Sequence, residues 1–255
     1  MLRSGTYPAI CSGTVNRITW VMKLVANGGT TSEMLVLFWP EQLPADVGQL
    51  LASNREELIA WYHSEGKLIW LPCSFDSTYS LAVFVNVDVP ENLLPLCHDK
   101  GTSPCLTAQG PAYFGGGEYV GKLDEKCFNK RQHLSGPLNI PAGTYTAQIF
   151  RTQLPFALRY RWMREHAGTA AFRFSFLQAV IMLLGLIGVI VCLFTFLALS
   201  RQTWLYILIP TLISIAVAIG MTRTSWHQRI KNARKIFREK YPDYVVKLTS
   251  HEVPS

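Results

Sequence analysis

The spacing of apolar and polar positions divides the chain in two. Up to about residue 155 the apolar residues come in short bursts that suit strands. Beyond it they fall into helical stripes and long unbroken runs. Thr14–Met22, Met34–Trp39, Lys67–Leu71, Ser80–Val87 and Thr144–Phe150 are rich in β-branched and aromatic residues and predict strands. Pro44–His63 instead carries Val47, Leu50, Leu51, Leu58, Ile59 and Tyr62 at helical spacing. Ser53 with Glu56 fits a capping box, so this helix is expected to restart at Ser53. Val89–Leu138, rich in Gly, Pro and polar residues, predicts long loops with short strands. The expected fold class of residues 1–155 is therefore α+β, mainly β. That length can bury a core, and a chain ending near Leu154 is expected to fold alone. Gly5-Thr-Tyr-Pro-Ala9 and Gly143-Thr-Tyr-Thr-Ala147 echo one another, each placed to begin a strand after a glycine turn.

The second part reads as a membrane anchor. No charge occurs between Arg173 and Arg201, or between Arg201 and Arg223, and two spans are expected at about 176–199 and 204–221. Each is near the ~20 residues that cross ~30 Å of hydrocarbon as a helix, and a globular core helix rarely stays apolar all round for so long. The connection Ser200–Thr203 is short, so 174–222 is predicted to be a two-helix transmembrane hairpin. Gly185, Gly188, Ala216, Ala218 and Gly220 would let the helices approach, Pro210 is placed to kink the second, and self-association through the spans stays open. The spans carry no ionisable side chain, which speaks against an ion path. A basic juxtamembrane segment, 156–173, precedes the hairpin, and a basic amphipathic tail, 223–255, follows it. Within that tail Trp226, Ile230, Ala233, Phe237 and Tyr241 fall at helical spacing, with basic residues around much of the remaining circumference. The pattern predicts an interfacial helix, the alternative being a helix packed on the soluble domain. Arg161, Arg164, Trp204, Trp226, Arg229, Lys231, Arg234 and Lys235 are the expected membrane-interface residues.

Charge fixes the expected orientation. The chain has a net charge of +7, but residues 1–150 sum to −3 and residues 151–255 to +10. Basic residues crowd both outer flanks of the hairpin, while the turn between the spans offers only Arg201. The positive-inside rule then puts both termini in the cytoplasm of a multi-pass inner (cytoplasmic) membrane protein, with the anionic inner leaflet as a partner and no role for nucleic acid. The first residues show no apolar stretch of secretory-signal length, and no Asn lies in a glycosylation sequon. The six cysteines are accordingly expected as reduced thiols.

The search for chemistry returns little. Gly116–Gly121 followed by Lys122 has the spacing of a phosphate-binding loop, but Leu123 replaces the hydroxyl that would hold Mg²⁺, and the flanks suit neither the strand nor the helix such a loop needs. Gly115, Gly116 and Gly117 are expected to serve a turn or bulge where a side chain will not fit, flanked by Tyr113, Phe114 and Tyr119 packing on the sheet. Cys97, His98, Cys105 and Cys127 lack the close spacings of a zinc site. Cys97 beside His98 does not orient itself as nucleophile and base, since neighbours on a strand point to opposite faces, and Ser74 and Asp76 near Cys73 meet the same objection. No catalytic, cofactor-binding or metal-binding residue is assigned, and the chain is read as a non-enzyme.

Two segments, YFGGGEYVG (Tyr113–Gly121) and IPAGTYTAQIFRT (Ile140–Thr152), followed by a hairpin, resemble those of uncharacterised bacterial membrane-anchored immunity proteins that accompany antibacterial toxins. The resemblance implies a protein that binds and neutralises a cognate toxin at the inner membrane, and it carries over no binding residues. Tyr113, Phe114, Glu118 and Tyr119 are the candidate partner-binding residues, the partner being a toxin or a membrane protein. A membrane-tethered regulator or scaffold is the alternative, followed by a membrane-associated enzyme and a channel or transporter subunit.

Overall fold

The structure is a computed structural model that describes residues 21–31, 33–44, 46–120, 134–198 and 203–250. Its first part is rich in sheet. Strands β1 (Met22–Thr30), β4 (Ser77–Val85), β5 (Cys97–Ala108), β7 (Gly143–Thr152) and β8 (Tyr244–Ser250) form a five-stranded sheet in the order β1-β4-β8-β7-β5. Strands β2 (Met34–Phe38), β3 (Leu68–Pro72) and β6 (Tyr113–Gly116) form a second sheet, β3-β2-β6. All pairings are antiparallel except β4 with β8.

Alternation along the strands explains how the layers stack. Leu35 and Leu37 of β2 meet Leu81, Val83 and Val85 of β4 and Val246 and Leu248 of β8 in one core between the sheets. The intervening Met34, Val36 and Phe38 face the other way, onto Val47 and Leu51 of helix α1 (Val47–Ser53) and Ile59 and Tyr62 of helix α2 (Arg55–Ser64). On the far side of the large sheet, Ala82, Phe84 and Val245 are covered by Val89 and Leu93. Strands β4 and β8 are thus buried on both faces, which is where a parallel pair is at home. Where β1 passes β6 the backbones nearly touch, and a Cβ on Gly28 would lie 2.5 Å from the Phe114 carbonyl oxygen.

Several expectations change. Most of the expected strand Thr14–Met22, and the Gly5–Ala9 echo, lie outside the described residues, while Gly143–Ala147 opens β7. The helix does divide, but not through a capping box: Ser53 closes α1 with its hydroxyl donating to the Leu50 carbonyl at 2.8 Å, and Asn54 stands between the helices. The region expected as long loops contains the twelve-residue β5. Its alternation is hidden by register shifts at Asp99/Gly101 and Ser103/Leu106, and Pro104 is tolerated because β5 lies at the sheet edge. The expected tail 223–255 is not all tail. Helix α6 (Ser225–Lys240) is followed by β8, inserted between β4 and β7, so the sheet unit comprises the chain up to Gln153 together with the stretch from Glu239 onward.

The other unit, Leu154–Arg238, is helical: α3 (Phe156–Ala167), α4 (Thr169–Ala198), α5 (Thr203–Thr222) and most of α6. Thr169–Phe194 of α4 is long and apolar enough to cross a membrane, and only 11% of its most apolar window is buried. The segment Tyr206–Thr222 meets the same criterion only together with Ser225–Lys240, from which it is bent by 61°. Helix α5 continues as one element through Pro210, and the bend comes after Thr222. Small residues bring α4 and α5 together, as a Cβ on Gly188 would sit 2.3 Å from Thr211 Oγ1 and one on Gly185 3.3 Å from Ile215 Cγ1.

Candidate functional site

The glycine-rich segment is built into the fold. Gly115 and Gly116 pair with Val36 and Leu35 across the β6–β2 ladder, so their backbone is engaged in the sheet, not arranged around a phosphate. The chain then makes a single 3₁₀ turn, Gly117–Tyr119. A Cβ on Gly116 would fall 2.1 Å from a Glu118 carboxylate oxygen, and one on Gly117 2.7 Å from Ile59 Cδ1. Gly121, Lys122 and Leu123 lie outside the described residues.

Of the four candidate partner residues, Phe114 is buried and Tyr113, Glu118 and Tyr119 are half-buried. Phe114 is fully buried in the inter-sheet core, so its ring supports the fold and cannot touch a partner. Glu118 is a strap: its carboxylate accepts the Thr31 N–H at 2.8 Å, the Thr31 hydroxyl at 3.2 Å and the Thr30 hydroxyl at 3.1 Å. Those bonds tie the turn after β6 to the turn after β1. Tyr113 and Tyr119 are half-buried against the helix-side core, Tyr113 with its ring 6.2 Å from that of Phe38.

Reactive side chains gather at one end of the sheet unit, around Cys73. Tyr244 donates its hydroxyl to the Pro72 carbonyl at 2.6 Å, and Tyr79 to the Phe75 carbonyl at 2.8 Å, the two rings packing edge-on at 5.8 Å. Asp243 accepts both the N–H and the hydroxyl of fully buried Ser80 at 2.8 Å. Burial pushes the Cys73 thiol up to about 11, against the smaller opposite effect of the Arg151 guanidinium. A thiol so placed stays protonated at neutral pH and is a poor nucleophile. Its sequence neighbours do not relieve this, since Ser74 accepts from Arg151 at 3.5 Å and Asp76 from the Glu33 N–H at 3.1 Å. Cys97 is likewise raised by burial, and it and His98 occupy successive positions of β5, opposite Thr152 and Arg151. Among the described residues no three His, Cys, Asp or Glu side chains come together as metal ligands.

The helical unit carries the other candidate surface. Its joint is Trp162 on α3, which donates its indole N–H to the Ala233 carbonyl at 3.1 Å, stacks on His166 at 3.5 Å and meets Phe237 at 5.8 Å. Ile230, Ala233 and Phe237 of α6 share one buried face, but Ala233 and Phe237 meet Trp162 of α3 within the helical unit, which is neither the expected membrane interface nor the expected alternative of packing on the soluble domain. Tyr241 falls beyond the end of α6 and packs instead beside Phe84 and Val245 of the sheet. Trp226 is 42% exposed with its ring edge-on to Phe174 at 5.0 Å. Arg161, Arg164, Arg229, Lys231, Arg234 and Lys235 are exposed, and the Trp204 side chain lies outside what the structure describes. Sequence spacing missed Trp162, the anchor of this arrangement, because its partner carbonyl is 71 positions away.

No protein-family profile matches the chain, and no curated protein does. A solved structure titled "Crocagin biosynthetic gene J" is similar with a TM-score of 0.36 and 11% identity, over 51% of this chain and 78% of that one. A likeness at that level carries no argument about what this chain does.

Proposed function

We propose that the chain is a membrane-anchored protein-binding module of the immunity type, which neutralises a cognate antibacterial toxin at the inner membrane. One observation supports the hairpin topology most strongly, given a crossing by the apolar helix. Strands β7 and β8 flank the helical unit in sequence and pair with each other from Tyr145↔Ser250 to Arg151↔Tyr244. Because they share a ladder, the chain leaves the sheet and rejoins it on one side of any membrane. If Thr169–Phe194 crosses, the chain must cross back, and Thr203–Thr222 is the apolar helix available for the return. An even number of crossings joins the two spans into a hairpin with both ends on one side. The basic flanks make that side the cytoplasm.

Recognition falls to the sheet unit. Among the described residues, the cluster of reactive groups around Cys73 forms a protonated, hydrogen-bonded corner, which suits a structural role better than catalysis. Tyr113 and Tyr119 supply the kind of rigid, amphipathic contact that binding surfaces favour. The immunity assignment rests on the resemblance of Tyr113–Gly121 and Ile140–Thr152 to such proteins.

The test is protection. Cells made to produce the protein encoded beside this chain should die without it and survive with it, and the two proteins should co-purify. Survival should fall when Tyr113 and Tyr119 are both replaced by Ala. A neighbouring product that is harmless, or death despite a membrane-bound chain, rejects toxin neutralisation and leaves a tethered regulator.

A further inference from the structure

Within the helical unit, α4, α5 and α6 enclose a groove of about 740 Å³ that is mostly apolar. Met182, Leu186, Val189 and Ile215 form the apolar wall. Gln178, His227 and Arg234 also line it, and Gln178 Oε1 and His227 Nδ1 are 3.2 Å apart. Arg234 is not alone there. Although the side chain keeps an exposed face, partial desolvation and the nearby Arg159 and Arg238 guanidinium groups lower its pKa, so two like charges stand within electrostatic reach of Arg234. Among the described residues none of the three pairs with a carboxylate.

Length narrows the occupant. From Gln178 to Val189 the groove follows α4 for about 16 Å at the helical rise of ~1.5 Å per residue, close to half of the ~30 Å hydrocarbon core. A ligand that fits has an apolar chain one leaflet long and an anionic head on the arginine. A free phosphate satisfies only the head, and a neutral lipid only the chain.

We propose that this groove is a binding site for one anionic glycerophospholipid, with an acyl chain along α4 and the headgroup phosphate on Arg234. This rests on the membrane reading above, and it turns a general attraction for an anionic leaflet into a single site with a defined geometry. Neutralisation of repelling arginines by a phosphate supplies the selectivity.

Native mass spectrometry of the full chain, extracted in detergent and offered phosphatidylglycerol or phosphatidylcholine with matched oleoyl chains, tests it. The full chain should retain one phosphatidylglycerol in preference to phosphatidylcholine by about fivefold, the effect of one basic residue near an anionic surface. Arg234→Ala should reduce that preference towards unity, and Arg234→Lys should restore most of it. Ala179→Trp, which fills the groove from its rim, should lower retention of both lipids. Inorganic phosphate in large excess should displace neither. Equal retention of the two lipids by a detergent-extracted chain, a preference unmoved by Arg234→Ala, or displacement by phosphate alone overturns the lipid site. A chain recovered from cells without detergent instead overturns the membrane reading on which the site depends.

Discussion

Cys73 shows how burial decides chemistry at a single residue. Its folded pKa of about 11 lies above the ordinary thiol value, so the folded state holds that proton more tightly than the unfolded chain. The resulting stability is fully present below the unfolded pKa and is lost as pH rises from there through about 11. Tyr244, Tyr79 and Tyr145 are raised by burial too and add in the same direction at higher pH. Thermal unfolding followed across alkaline pH should show a falling midpoint, and Cys73→Ser should shallow the fall in the thiol range. Cys73 should also react with a maleimide far more slowly at pH 8 than exposed Cys105. Asp243→Ala should cost about 2–3 kcal/mol in chemical denaturation, since it strips a charged acceptor from buried Ser80. Gly28→Ala should cost about 1–3 kcal/mol through its clash with the Phe114 carbonyl. The close packing at Gly116 and Gly117 was legible in the sequence, but Gly115 and Gly116 belong to strand β6 and only Gly117 to the turn. Glu118 was not, because the groups it holds lie 87 and 88 positions earlier.

At the scale of elements, local patterning revealed much and pairing revealed the rest. Strands β2, β3, β4 and β7 were readable from β-branched and aromatic content, and the divided helix from its stripe. Strand β8 has that content as well, in YVVKLTS, but it follows a basic helix and Pro242 and so looked like tail. Its place between β4 and β7 depends on partners 163 and about 100 positions earlier, which no local signal encodes. That place alters what a truncation does. A chain ending at Leu154 lacks a central strand of the large sheet and should not fold, contrary to the expectation from the sequence alone. Joining Thr152 to Pro242 through a short Gly/Ser loop keeps β8 and converts β7 and β8 into a hairpin. That shortened chain should unfold cooperatively and stay soluble, whereas a similar cooperative transition in the chain ending at Leu154 would show that β8 is dispensable.

At the scale of the molecule, a sheet unit is interrupted between two adjacent strands by a helical unit that contains one helix able to span a membrane. The charge asymmetry of the sequence pointed to the membrane and to one side for both flanks, and the β7–β8 ladder, which joins the two ends of the insertion, is consistent with the one-sided anchor proposed above. That side can be read directly by labelling intact cells with a membrane-impermeant maleimide. Cys105 is exposed on the edge strand β5 and reports the sheet unit, while Gln202→Cys reports the connection in sequence between the apolar helices. We expect Gln202→Cys to label in intact cells and Cys105 to label only after permeabilisation. Labelling of Cys105 from outside, or protection of Gln202→Cys until the cells are opened, would contradict a hairpin anchored from the cytoplasmic face.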